Sequence, residues 1–235
     1  MFLTACNRAA YEAPSATYSD PLAAYRFGCT PLDSLTVAAH LPELEATFGE
    51  KIDCPDEYRD KLLAALSFYP QLWNIRIKVV QKTLPTSMQV RPANFAFARN
   101  GRGYRIYVDD TRTDKVTDFR RASYSAQIGC FIHELGHMTH YEKRSNVRLL
   151  ADGTGYVTSQ KFRTHYEAIA DQNAIAYGGG YYTYQFSNFI FERAGISKAY
   201  RKFKKANYYT NHEILALHNA ARKERGMREP CPALD

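Results

Sequence analysis

Between residues 55 and 72, Tyr58, Leu62, Leu63, Leu66 and Tyr69 fall on one helical stripe, and Pro70 is placed to close it. From Trp73 the spacing changes. Ile75, Ile77 and Val79 alternate with Asn74, Arg76 and Lys78, which predicts a half-buried strand. Ser87 to Val90 and Asn94 to Ala98 are shorter candidates, and Gly101-Arg102-Gly103 turns the chain into a strand over Tyr104 to Val108 that ends at Asp109-Asp110-Thr111. Helical spacing returns over 121–144 and 161–177, where Phe162, Tyr166, Ile169, Ala170, Ala174 and Tyr177 share a face; 145–160 between them reads as a loop whose Asp152-Gly153-Thr154-Gly155-Tyr156 stretch borders the cleft. Gly178-Gly179-Gly180 stops the second helix, and the aromatic run from Tyr181 to Phe191 reads as core in preference to a hinged lid. Ser197 to Ala206 is a basic helix, and Thr210-Asn211-His212-Glu213 is a capping box opening a last one. The pattern predicts an α+β protein: a small mixed or antiparallel sheet, then a mostly helical C-terminal half. Pro14, Pro21 and Pro31 among Ala, Ser and Thr mark residues 1–34 as a tether, with one domain over 35–235 and compact packing from about Leu35.

The first of the two long helices carries His133-Glu134-Leu135-Gly136-His137. Residues four apart stand one turn above each other, so His133 and His137 can aim two imidazoles at one metal ion. Zinc accepts imidazole nitrogen at about 2.0–2.1 Å, and a catalytic site holds it with three protein ligands and one position for water. Glu134 is rotated by about 100° from His133. There it is too far round to be a ligand and suitably placed to be the general base that takes the water's proton and returns it to a leaving amine. The second helix offers Glu167 and Asp171, again four apart. Glu167 is the candidate third ligand, and Asp171 the acceptor for the free ring N–H of a ligand histidine.

HELGH followed, thirty positions after its last histidine, by Glu167-Ala168-Ile169-Ala170-Asp171 resembles the gluzincin branch of zinc metallopeptidases. The Glu-x-x-Ala-Asp form is especially similar to CAAX-prenyl-protease-like members, from which this chain departs in having no membrane span. The resemblance covers about 121–177. It implies a zincin-like fold, one zinc ion, and peptide hydrolysis. It also implies an edge strand before the metal helix that pairs with an extended peptide, for which 103–108 is the candidate. A metzincin pattern would need glycine and histidine at 140 and 143, where His140 and Lys143 stand. His140 is expected outside the first coordination shell, His165 to point away from Glu167, and Cys130 to be a small buried residue. Gly136 suggests that another element packs closely there. Donors to the tetrahedral oxyanion are sought among Tyr208, Tyr209, His212 and Arg193.

Composition adds setting. The chain has 235 residues, 45% hydrophobic and 23% charged, with no run long enough to span a bilayer. The net charge of +7 is concentrated late, at Arg201, Lys202, Lys204, Lys205, Arg222, Lys223, Arg225 and Arg228. Without a nucleic-acid reading module these read as solvated helix faces or as a surface for an anionic envelope or membrane, and nucleic acid is not the expected partner. Five cysteines show no CxxC pairing. Leu3-Thr4-Ala5-Cys6 resembles a lipobox, which implies lipidation at Cys6 and a bacterial cell envelope, with secreted or cytoplasmic settings as alternatives. Two other functions fit the same motifs. One is a zinc-containing binding or sensory protein with weak turnover, against which the retained Glu134 argues; the other is a zinc amidase acting on a cell-wall polymer.

Overall fold

The computed structural model describes residues 20–93, 102–110, 116–193 and 195–234. Helix Ser34–Phe48 (α1) leads into the short strand Ile52–Asp53 (β1) and helix Asp56–Ser67 (α2). Strands Ile77–Lys82 (β2), Met88–Pro92 (β3) and Tyr104–Asp109 (β4) follow, then helices Tyr124–Glu142 (α3), Asn146–Thr158 (α4) and Gln160–Ala176 (α5). Helix Gly180–Asn188 (α6) runs on into a π-helical turn, Phe189–Arg193, and Lys198–Asn207 (α7) and Asn211–Glu224 (α8) complete the chain.

The sheet is mixed, in the order β1-β2-β4-β3. β2 lies parallel to both β1 and β4, pairing Ile77 with Ile52 and with Tyr104, whereas β3 runs antiparallel to β4 with Met88 opposite Val108. This order corrects the expectation that 103–108 forms the edge. β4 is flanked on both sides and buries Tyr104, Ile106 and Val108 completely or nearly so; β3 is the edge instead. The parallel pairing of β2 with β4 puts two strands side by side that are separated in sequence by β3, and no local pattern announces such a crossover. β2 also starts at Ile77, two residues later than the alternation begins, because Leu72 and Ile75 are held in a turn by the Ile75 N–H to Leu72 carbonyl bond of 3.0 Å.

α3 is the axis of the molecule. Ser123 caps it by accepting from the Ala126 N–H at 3.3 Å, and thirteen of its residues are buried. Phe131, Ile132, Leu135 and Met138 join Leu62 and Leu66 of α2, Ile106 and Val108 of β4, and Tyr182 of α6 in one core cluster. Burying each such apolar side chain is worth about 1.5–3 kcal/mol. The Tyr69 hydroxyl is satisfied inside this core by the Ile132 carbonyl, 2.8 Å away. The aromatic residues after the glycine run are core, as the pattern predicts: Tyr181, Tyr182 and Tyr184 are buried on α6.

Two further expectations are corrected. Most of the expected loop, Asn146–Thr158, is a helix, α4, despite Gly153 and Gly155. Ser145 caps its start, and Ser159 both ends it and accepts from the Phe162 N–H to begin α5. Glycine lowers helix propensity, but Gly155 lies against the ring of Phe162, a contact available only once α4 and α5 have folded onto each other. The expected tether also ends earlier than residue 34. Leu22 and Leu32 are fully buried, the Phe27 N–H donates to the Gly178 carbonyl at 2.8 Å, and Cys29 forms a disulfide with Cys231. Leu35, where packing was expected to begin, is 81% exposed. The strand candidate 94–98 and the Cys6 lipobox lie outside the described residues.

Candidate metal centre

α3 and α5 cross with their backbones almost touching. A Cβ at Gly136 would stand 2.5 Å from the Ala170 carbonyl oxygen, which meets the expectation of close packing at that glycine. Asn173 on α5 donates its Nδ2 to the Gly136 carbonyl at 2.9 Å, pinning the crossing. Ala170 lies between Glu167 and Asp171, so this contact presses both carboxylates against the histidine face of α3.

The outcome is a compact donor group. The His133 Nε2 is 3.2 Å, and the His137 Nε2 3.3 Å, from the same Glu167 oxygen, Oε2. His133, His137 and Glu167 form a group that could hold a metal ion. A tetrahedral ion with donors at about 2.0–2.1 Å keeps them roughly 3.3 Å apart, which both histidine-to-Glu167 separations match, and all three donors lie within 4.8 Å of one another. The proton inventory agrees. His133 turns its Nδ1 to Asp171 Oδ1 at 2.7 Å, which holds a ring proton there and points Nε2 at Glu167 as the nitrogen that would face a metal ion. In the metal-free chain burial disfavours the imidazolium, yet Asp171 and Glu167 outweigh it and hold the His133 pKa well above its ordinary value. Burial likewise opposes the charge of Glu167, but His137 and His133 prevail and keep its carboxyl well below the usual range.

The triad opens onto a cavity of about 480 Å³. Glu134 lines it beside the two histidines, and burial raises its pKa. β3 and the two residues before it, Thr86 to Pro92, line the cavity as well. Of the candidate oxyanion donors, Tyr208 reaches the site, its ring centroid 6.4 Å from that of His133. Tyr209 lines the cavity too, but its hydroxyl accepts from Gln172 Nε2 at 3.1 Å. His212 is exposed and does not line the cavity, and the side chain of Arg193 lies outside the described residues. His140 lies outside the triad, accepting from Arg144 Nε at 3.2 Å, with a pKa pushed down to about 4 by burial. His165 is exposed, and Cys130 is buried beside the cavity with a thiol pushed well up by burial.

Two residues belong to this site for which the sequence reading had no chemical role, one from the stretch expected to border the cleft and one from the basic helix. Tyr156 of α4 donates its hydroxyl to Glu167 Oε1, the oxygen that the histidines leave free. Burial and the Glu167 charge raise its pKa, with Tyr208 pulling the other way. Lys204 of α7 lines the cavity with its Nζ 3.2 Å from the centroid of the Tyr208 ring. Only helical phase could have found either one: Tyr156 once 145–160 is placed on a helix, Lys204 one turn after Tyr200.

No known family, curated protein or solved structure matches this chain.

Proposed function

We propose that this chain is a metal-dependent peptidase of the gluzincin kind, using one zinc ion and water to hydrolyse peptide bonds within a zincin-like fold. The observation that carries the reading is the convergence of His133 Nε2 and His137 Nε2 on one Glu167 oxygen, at the floor of a cavity that Glu134 also lines. A divalent ion held by His133, His137 and Glu167 would supply Lewis acidity to a substrate carbonyl and to the attacking water.

The chain's own residues do the rest. Glu134 takes the proton of the attacking water on a carboxylate oxygen and gives it to the amine nitrogen as the C–N bond breaks; a carboxyl whose pKa is raised by burial is suited to both halves of that transfer. Asp171 fixes the His133 tautomer. Tyr208 offers an O–H to the developing oxyanion, and Tyr156, bound to Glu167, stands beside it. The outer edge of β3 presents backbone N–H and C=O groups with which an extended peptide can pair. Asp171, Tyr156 and the α3–α5 crossing preorganise the donors before any substrate arrives.

The disulfide between Cys29 and Cys231 suggests an extracytoplasmic setting. No helix among the described residues is long and apolar enough to cross a membrane. We place the enzyme in the bacterial cell envelope, with Cys6 as a lipid attachment point and protein or peptide as substrate.

The test is metal analysis by mass spectrometry beside cleavage profiling of an unbiased peptide library. Glu134→Gln should retain its metal while cleavage falls by roughly 10²–10⁴-fold, and chelation should abolish cleavage in the wild type. Glu167→Ala should lose most of its metal. Normal cleavage by Glu134→Gln, or full metal content in Glu167→Ala, would overturn the assignment.

A further inference from the structure

α7 reads in sequence as a solvated basic face, and Lys202 and Lys205 are indeed exposed. Lys204 is different. It turns into the cavity with Tyr200, and its ammonium rests on the Tyr208 ring, which itself lies against His133. The cation thus stands one aromatic ring away from a metal ligand. No described carboxylate comes within ion-pair reach of it. Glu167 is engaged by His133, His137 and Tyr156, and Asp171 by His133. The rest of this part of the wall is largely apolar, with Phe186, Ile190 and Cys130 beside Tyr200. The ammonium is half-buried against the Tyr208 face, and Glu167, Asp171 and Glu134 act on its charge only from beyond ion-pair distance. It is therefore placed to meet a counter-charge that enters the cavity.

We propose that Lys204 is the specificity-determining residue of a carboxylate-reading subsite beside the triad. The substrate is then a peptide carrying a carboxylate, as an acidic side chain or a free C-terminus, close to the bond that is cut. The Lys204 Nζ donates to the carboxylate in a charge-assisted hydrogen bond, and the Tyr200 and Tyr208 rings flank it. A glutamine or a C-terminal amide in the same place would leave the ammonium unpaired, so discrimination falls on charge more than on size. This inference rests on the peptidase reading, which it narrows to a class of substrate.

Two measurements on the full-length, metal-loaded protein test it. Matched peptides carrying Glu or Gln at each position around the cleaved bond, and free or amidated C-termini, are compared in kcat/KM; the arms separate a side-chain from a terminal carboxylate. The same pairs are titrated by calorimetry into metal-loaded Glu134→Gln. The wild type should favour the carboxylate member of one pair by roughly tenfold to a hundredfold. That ratio should collapse towards one in Lys204→Met and return in Lys204→Arg. Thermal melts and metal content show whether each variant is folded, and the wild-type ratio decides the matter if Lys204→Met is not. Cleavage with no carboxylate preference at any position overturns the subsite and leaves the peptidase standing. Lys204-dependent carboxylate binding without any cleavage overturns the peptidase and leaves the subsite. Neither cleavage nor preferential binding overturns both.

Discussion

Glu167 has two oxygens, and the neighbourhood treats them differently: Oε2 meets the two histidines while Oε1 accepts from Tyr156. The phenol therefore fixes the carboxylate as a one-oxygen donor and keeps the other oxygen from competing. Outer-shell partners of this kind typically affect metal affinity by 10–100-fold. Tyr156→Phe, which removes only the hydroxyl, should raise the metal dissociation constant by about that factor in a competition titration against a chromophoric chelator. An unchanged constant would make Tyr156 a wall residue only. Histidines four apart and a carboxylate pair four apart are legible in any sequence. Tyr156 was not, because its role depends on the pairing of α4 with α5.

Among the elements, the α3–α5 crossing decides the site. Its closeness depends on Gly136, whose missing Cβ lets the Ala170 carbonyl approach. Gly129, two turns earlier, does the same for α6, where a Cβ would overlap the Tyr182 carbonyl. Alanine is the better helix former by about 1 kcal/mol, so propensity alone favours Gly136→Ala. The steric term opposes it: the neighbour is backbone, which cannot rotate aside, and overpacking of this kind costs about 1–3 kcal/mol. Gly136→Ala should therefore lower the melting temperature. By pushing Ala170 away it should also displace Glu167 and weaken metal binding in the same preparation. A variant that melts higher and binds metal normally would show that the crossing is looser than described. The sheet holds the opposite lesson. β4 reads as the last strand before the metal helix, yet β3 takes the edge and faces the cavity, because pairing order in a mixed sheet is set by long-range packing.

At the scale of the whole molecule, segments early and late in the chain are tied together. Cys29 and Cys231 are 202 positions apart and joined, and Arg222 donates to the Phe27 carbonyl nearby. A cross-link closing so long a loop restricts the unfolded chain strongly, and losing a native disulfide typically costs 2–5 kcal/mol. The double variant Cys29→Ser, Cys231→Ser should accordingly unfold at a lower urea midpoint than the oxidised wild type, and reductant should lower the wild-type midpoint towards it. A midpoint indifferent to both would mean that packing of Leu22 and Leu32 alone holds the N-terminal segment. The triad lies on α3 and α5, away from this clamp, so metal content should survive the change.

The sequence alone determined what is local and periodic. Two helices each carry a donor pair on one face, with a glycine where they meet, a capped final helix, and alternating strands ahead of them; each follows from spacing along a single element. The tertiary structure decided what depends on elements far apart in the chain. It brought Glu167 Oε2 to both imidazoles, made most of 145–160 a helix that delivers Tyr156, and exchanged the edge from β4 to β3. It also anchored residues 20–34 to the core through Leu22 and Leu32 and turned one lysine of a basic helix into the cavity. Burial and backbone pairing choose among partners that local pattern leaves equivalent, and that choice is made only when the whole chain packs.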